Sequence, residues 1–430
     1  MNFRRGWVCV FLFTLTTINY ADRVALSVAA TPIRTEFGLS QVQMGYLLSS
    51  FLWTYVLCLI PVGLLVDRFG GKIVNGLGIG LWSAATVLTG FAPNFLFMLG
   101  TRMVMGMGES TSWPASNRII REWFPASERG LANGIFGAGS AAGPAIGAIA
   151  ISYLVSAYGW RTGFVVAGSV GFAWLLAWLL VFDRPERVGW LSATERDTIL
   201  RQRDGAPDVA PGKGSSLGYL LRQRSVWGLF LTQGSEVYGG YMLITWLPSY
   251  LEQAKGLSVM NAGLLTAVPF ALASVFGVGL GWVSDRLLTP ETVQAGRRRS
   301  MIAVMLLGVS LILLVPLINE LWIIILILAF VRALGLAGSA LNFALVTDLV
   351  RSRADIGKVT AITVVGGNSF GLMAPIVTGY IIALTGNFDR AFIVAGLLPL
   401  AGAAATFLMT RKPIEAQESE KILSTAGRLV

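Results

Sequence analysis

Twelve times along the 430-residue chain the sequence runs for a stretch with few or no charged side chains, each long enough for the roughly 20 residues that a helix needs to cross a bilayer core. The stretches fall near 7–28, 41–64, 73–92, 96–117, 129–155, 161–181, 225–249, 259–282, 300–318, 321–347, 358–385 and 390–410. Charged residues make up only 13% of the chain and hydrophobic ones 54%. A soluble protein carries roughly a quarter charged residues, so water cannot be the solvent for most of this surface. The expected fold is all-α and integral to a membrane, with twelve transmembrane helices. Met1-Asn-Phe-Arg-Arg before the first apolar run resembles the start of a secretion signal. Eleven further spans and the pair Asp22-Arg23 inside that run argue for a retained first helix instead.

Histidine is absent, which removes Ser-His-Asp and Cys-His catalysis, imidazole metal sites and imidazole proton relays together. Proton chemistry is left to Asp, Glu, Tyr or Lys. The two cysteines, Cys9 and Cys58, lie in apolar segments and read as structural thiols, with no disulfide framework or thiolate metal site. No cofactor and no metal is expected, and no motif offers a nucleophile with its base or a phosphate-cradling loop, so the chain is not expected to be an enzyme. The linker and tails are too short for a receptor's signalling domain.

A net charge of +10 raises the question of nucleic acid, but no basic stripe with interleaved aromatics occurs and the longest basic run is Arg297-Arg298-Arg299. The placement of Lys and Arg points to topology instead. With both termini in the cytoplasm, nearly all of them fall on cytoplasmic segments. Outside lie only Arg34, Arg161, Lys255 and Arg390, while Arg23, Arg102 and Arg332 stay within spans. The partners implied are a lipid bilayer and small solutes. N-x-Ser/Thr acceptors are also missing, compatible with a bacterial inner membrane, where a multi-pass monomer is expected.

The chain also repeats itself. Gly63-Leu-Leu-Val-Asp67-Arg68 recurs as Gly281-Trp-Val-Ser-Asp285-Arg286, and the same offset carries Gly38-Leu39-Ser40 onto Gly256-Leu257-Ser258. Phe164-Val-Val-Ala-Gly168 returns as Phe392-Ile-Val-Ala-Gly396. Two pseudo-symmetric six-helix halves are therefore expected at 1–181 and 225–412, with a cytoplasmic linker at 182–224 and a cytoplasmic tail at 413–430. Paired halves with a site between them are the design of alternating-access transporters.

The element Gly63-x-x-x-Asp67-Arg68-x-Gly70-x-Lys72 resembles the loop signature of the major facilitator superfamily, in which such charges can latch the halves. Asp67, Arg68, Asp285 and Arg286 are the gating candidates. Three further pieces resemble the anion:cation symporter branch, with its bacterial sugar-acid permeases: Asn19-Tyr20-Ala21-Asp22-Arg23, Glu109, and Trp123-Phe124-Pro125-x-x-Glu128-Arg129. The linker motif Arg184-Pro185 through Leu191-Ser192-x-x-Glu195-Arg196 is similar to that branch too. The resemblance extends over nearly the whole chain.

Ionisable groups inside a span are costly and mark function by default. Asp22, Arg23, Arg102, Glu109 and Glu236 are such groups. Asn19, Asp22 and Arg23 share one face of the first span, and Arg102, Gly106, Glu109, Trp113 and Asn117 form one stripe of the fourth. Two carboxylates facing two arginines suggest a charge-balanced cavity. Protonating a carboxylate would release an arginine for bidentate binding of a substrate carboxylate. The resemblance implies the same division of labour, with Asp22 and Glu109 as proton-coupling residues and Arg23 and Arg102 as substrate contacts. It also implies a substrate contact for Tyr55, and it puts Ser140 where related permeases carry a glutamine. Asn19, Trp113, Gln233, Glu236, Tyr241, Asn368 and Ser369 complete the expected binding set. Arg332 lacks an evident acidic partner and reads as structural or interfacial. Gly139-x-x-x-Gly143-Pro144-x-x-Gly147 resembles an antiporter pattern, although small residues at this spacing mostly serve packing. The expected function is proton-coupled import of an organic anion, most simply a sugar acid (hexonate, aldarate or hexuronate). The alternatives are an exchanger or exporter, or a symporter for another carboxylate such as an aromatic acid.

Overall fold

The computed structural model describes residues 3–125, 127–204, 214–289, 291–292 and 296–417. Among them the regular structure is helical, and the one β-type pairing is an isolated bridge between Val350 and Ile414. In chain order the helices are α1 (Phe3–Val28), α2 (Ala30–Phe37), α3 (Gln41–Phe69), α4 (Gly71–Gly90), α5 (Phe95–Glu109), α6 (Ser112–Trp123), α7 (Arg129–Tyr158), α8 (Trp160–Val181) and α9 (Ala193–Asp204). There follow α10 (Leu217–Leu220), α11 (Arg224–Gln253), α12 (Val259–Leu287), α13 (Arg297–Val309) continued by a 3-10 segment (Ser310–Leu317), α14 (Leu321–Leu349), α15 (Arg353–Thr385) and α16 (Asp389–Met409).

Nine helical stretches among the described residues are long and apolar enough to cross a membrane. The expected spans that fall outside the nine are the first, fourth and seventh, which carry the mid-span charges. The fourth is not one helix. Pro114 has no N–H for the carbonyl of Ser110, and the chain turns at Ser110–Thr111 between α5 and α6.

Contacts group the chain into two units. Unit 1 holds residues 1–208 together with 244–271, and unit 2 holds 209–243 with 272–430. The last turns of α11 and the first half of α12 therefore belong to unit 1, where Gly263 lies directly against Ser152 of α7.

Within unit 1, α1 and α7 approach along the glycine stripe predicted from sequence. A side chain at Gly139, Gly143 or Gly147 would run into Phe13, Thr17 or Ala21 of α1, respectively, at 2.5–2.7 Å. That stripe is a packing surface, which lets α1 lie close enough to hold its charged face in place. An aromatic cluster closes the other end, with Trp178 stacked on Phe182 at 3.7 Å and Trp123 on Trp190 at 5.4 Å. Arg5 ties the start of α1 to Glu128 at 3.2 Å and to Glu195 of α9 at 3.6 Å. In unit 2, α11 meets the glycines of α15, with Gly366 against Phe230 and Gly371 against Tyr241. The buried carboxylate of Asp355 accepts the backbone N–H and the hydroxyl of Ser215 at 2.7 and 2.6 Å.

Candidate functional site

The charged faces of α1 and α5 meet inside unit 1. Arg23 Nε donates to Glu109 Oε2 at 2.8 Å, and their side chains are 3% and 0% exposed. Asp22 and Arg102 are buried beside them, within electrostatic range of Glu109. Asn19 is buried and reaches towards Glu109, while the indole of Trp82 stands next to Asp22. Four ionisable groups of balanced charge thus share one buried compartment, where a low dielectric makes their pairing matter.

The two arginines are held differently. Arg23 is clamped by Glu109 and lies against the rings of Tyr20 at 4.5 Å and of Phe51 and Tyr55 at 5.1 Å. Arg102 lies over the other side of the same platform, 5.2 Å from the Phe51 ring, and gives one N–H to Met105 Sδ at 2.9 Å. Among the described residues no carboxylate is within ion-pair distance of it, and its Nε is buried without an acceptor. A guanidinium buried in this way has unspent capacity for an anion.

Close helix contact sets this geometry. Gly106, one turn before Glu109, has the backbone carbonyl of Phe51 where a Cβ would stand, and Thr54 donates to the Met103 carbonyl at 2.6 Å. α3 is thereby pinned to α5, bringing Phe51 and Tyr55 onto the arginines. Phe51 was not among the expected residues, although it lies one helical turn before Tyr55 on the same face.

Not every expected residue joins the cluster. Trp113 sits beyond the α5–α6 break and packs edge-on against Phe136 at 4.6 Å, while Asn117 is exposed. Ser140 donates to the Gly137 carbonyl of its own helix at 2.7 Å. Asp67 is an exposed partner of Arg118 at 3.4 Å, and Arg68 lies against Phe69. The side chain of Asp285 lies outside the described residues, and Arg286 is exposed.

Unit 2 contains a second polar group. Glu236 is buried on α11 and meets Arg332 of α14 at 3.4 Å. This corrects the reading of Arg332 as lacking an acid: its partner is on a helix 96 positions away. Small residues make the room, with Gly240 against the guanidinium and Gly335 against the carboxylate. Gln233 donates to Ser339 at 2.6 Å and accepts from Asn342 at 2.9 Å. Ser339 was missed, yet it lies seven positions after Arg332 and three before Asn342, on their face of α14. Tyr241 packs on Gly371, Asn368 donates to the Val364 carbonyl of its own helix at 3.1 Å, and Ser369 is exposed.

The chain is similar to several known transporters. The chain is 32% identical to the D-galactonate transporter of Escherichia coli O6:H1 over 94% of this chain and 95% of that one. It is 33% identical to the probable galactarate/D-glucarate transporter GudP of Escherichia coli K12, covering 91% and 90%. The probable sulfoacetate transporter SauU of Cupriavidus necator is 32% identical, with 94% and 92% covered. Among solved structures, a bacterial homolog of the human lysosomal transporter Spinster in an inward-facing, occupied conformation superposes with a TM-score of 0.75 at 20% identity, over 96% of this chain and 98% of that one. Residues 12–293 match the model of the Major Facilitator Superfamily. The chain is a membrane transporter of the Major Facilitator Superfamily, related to bacterial sugar-acid permeases.

Proposed function

We propose that the protein is a proton-coupled symporter that imports an organic anion, a sugar acid of the hexonate, aldarate or hexuronate type, across a bacterial inner membrane by alternating access. The observation that carries this reading is the buried quartet of Asp22, Arg23, Arg102 and Glu109, with Arg23 held by Glu109 and Arg102 short of an acceptor. The named relatives move sugar acids and sulfoacetate, and these share an anionic head that a guanidinium fork recognises. The twelve-span plan with both termini in the cytoplasm, and with halves at 1–181 and 225–412, belongs to this proposal.

The coupling follows from charge balance. With Glu109 ionised, Arg23 is neutralised and the quartet has no net charge. A proton on Glu109 weakens its hold on Arg23, and the quartet then carries an excess positive charge that a substrate carboxylate cancels. Asp22 supplies a second carboxylate for the same exchange beside Arg102. Empty protonated and loaded deprotonated states each leave a buried charge uncompensated, so proton and anion bind together. The glycine stripe of α7 serves packing on α1 and gives no support to exchange.

Purified protein in proteoliposomes tests the proposal with D-galactonate and D-glucarate under an inward proton gradient. Wild type accumulates at least one of them and alkalinises the medium as it does so. Asp22→Asn and Glu109→Gln each abolish gradient-driven accumulation while leaving measurable substrate binding. Full accumulation by both variants would refute the coupling role.

A further inference from the structure

A cavity of about 500 Å³ opens at the end of unit 2 where α13 begins and α14 and α16 finish. Arg298, Arg299, Arg351 and Arg411 line it, against a single carboxylate among the described residues, Asp348. Asp348 is already used: Arg298 gives one guanidinium nitrogen to its Oδ2 at 2.5 Å and to the Ala344 carbonyl at 3.1 Å. Arg351 reaches Glu415 only at 4.0 Å, with both side chains largely exposed.

Arg299 and Arg411 have no carboxylate at ion-pair distance among the described residues. Each gives an N–H to a backbone carbonyl, Arg299 to Thr410 at 3.4 Å and Arg411 to Phe407 at 3.0 Å. Both guanidiniums lie against the same Phe407 ring, at 5.8 and 5.1 Å. The Nε atoms of Arg298 and Arg299 are buried without an acceptor. Two cations gathered on one ring repel each other unless an anion lies between them. Tetrahedral phosphate suits this arrangement, because its several oxygens can accept from more than one guanidinium fork.

The surroundings indicate where the phosphate comes from. Phe407 and Leu408 on α16, with Val304 and Leu307 on α13, are exposed apolar side chains on the helices that frame the cavity. In a membrane-embedded bundle such side chains face acyl chains, and a basic pocket at a helix end beside them is placed to take an anionic headgroup. We propose that this cavity is a phosphate-binding site that holds the headgroup of an anionic phospholipid. It is separate from the buried quartet of unit 1 and from the Glu236–Arg332 pair.

Native mass spectrometry of the full-length protein, released from micelles doped with equal amounts of phosphatidylglycerol and phosphatidylcholine, reads the occupancy. Wild type retains phosphatidylglycerol over phosphatidylcholine by about tenfold, the order expected for charge-assisted hydrogen bonds. Arg299→Gln/Arg411→Gln brings the ratio to near parity, and so, in part, does Arg411→Gln alone, a change at an exposed position that leaves folding intact. Arg390→Gln removes an exposed arginine elsewhere and keeps the wild-type ratio. A parallel thermal-shift series with inorganic phosphate separates the sources. Stabilisation by millimolar phosphate that is lost in Arg299→Gln/Arg411→Gln, without any lipid preference, assigns the site to free phosphate and overturns the lipid assignment. If wild type shows neither the lipid preference nor the phosphate shift, or if Arg390→Gln erases the lipid preference as fully as the paired variant, the site itself is refuted.

Discussion

Glu236 and Arg332 face each other at 3.4 Å, the acid almost wholly buried and the arginine side chain 20% exposed. Removing one member of a buried pair strands the other charge, which costs about 3–5 kcal/mol where no water can reach it. Arg332 retains some access to solvent, so the lower part of that range is expected. Glu236→Gln therefore lowers the melting temperature, and Glu236→Gln/Arg332→Gln regains much of the loss, a coupling that a double-mutant cycle reads directly. Losses that simply add would show that the two groups stand independently. Individual charges of this kind are easy to see in the sequence, because a span containing an acid is rare and helical spacing says which neighbours share its face. Asp22, Arg23, Arg102 and Glu109 were all visible in that way. What spacing cannot supply is the partner on another helix. Arg332 therefore looked solitary, and Phe51, which holds both Arg23 and Arg102 on its ring, looked like any apolar residue.

At the scale of elements, the site depends on how near α5 comes to α3. A Cβ at Gly106 would occupy the position of the Phe51 carbonyl, and backbone cannot swing aside as a long side chain does. Gly106→Val is expected to force the helices apart at an overpacking cost of about 1–3 kcal/mol. Transport should fall more sharply than stability does, because Phe51 and Tyr55 move away from the arginines. Wild-type uptake by a folded Gly106→Val protein would show that this spacing is immaterial. A second contact between elements carries a pH signature. Glu36 on α2 accepts from Trp160 Nε1 at 2.7 Å and forms a two-pronged pair with Arg161 of α8 at 2.6 and 2.8 Å. Hydrogen bonds from Arg161 and then from Trp160 hold its carboxyl below the ordinary 4.5. A depressed acid stabilises the fold above its ordinary value and loses that contribution as the pH drops through the folded one. Glu36→Gln should thus be less stable than wild type at neutral pH, by under about 1 kcal/mol for so exposed a pair. The gap should narrow as the pH falls below the ordinary glutamate value of 4.5, and a gap that widens on acidification would contradict the assignment. The break between α5 and α6 was written in Pro114 and the polar run Glu109–Ser112, but the helical spacing from Arg102 continues straight through it, so the stripe running on to Trp113 and Asn117 was drawn two turns too far.

Across the whole molecule, motifs scattered through the sequence prove to be parts of one structure. Arg5, Glu128 and Glu195 join the start of α1, the loop before α7 and the linker helix α9 in one charge knot, with Trp123 stacked on Trp190 beside it. Together these residues hold the charged end of unit 1 in place, a role no linear pattern discloses. The distribution of Lys and Arg acts at the same scale, since it sets which way the whole bundle faces. If nearly all of them are cytoplasmic, Arg390 must lie outside and Arg353 inside, and both are exposed at the ends of helices. In a Cys9→Ser/Cys58→Ser background, Arg390→Cys should react with a membrane-impermeant maleimide on intact cells, while Arg353→Cys should react only in inverted vesicles. The reverse pattern would turn the protein over and place the arginine-lined cavity of unit 2 in the outer leaflet. Arg298, Arg299, Arg351 and Arg411 count towards the cytoplasmic excess themselves, so labelling in the expected sense would assign the proposed headgroup to the inner leaflet.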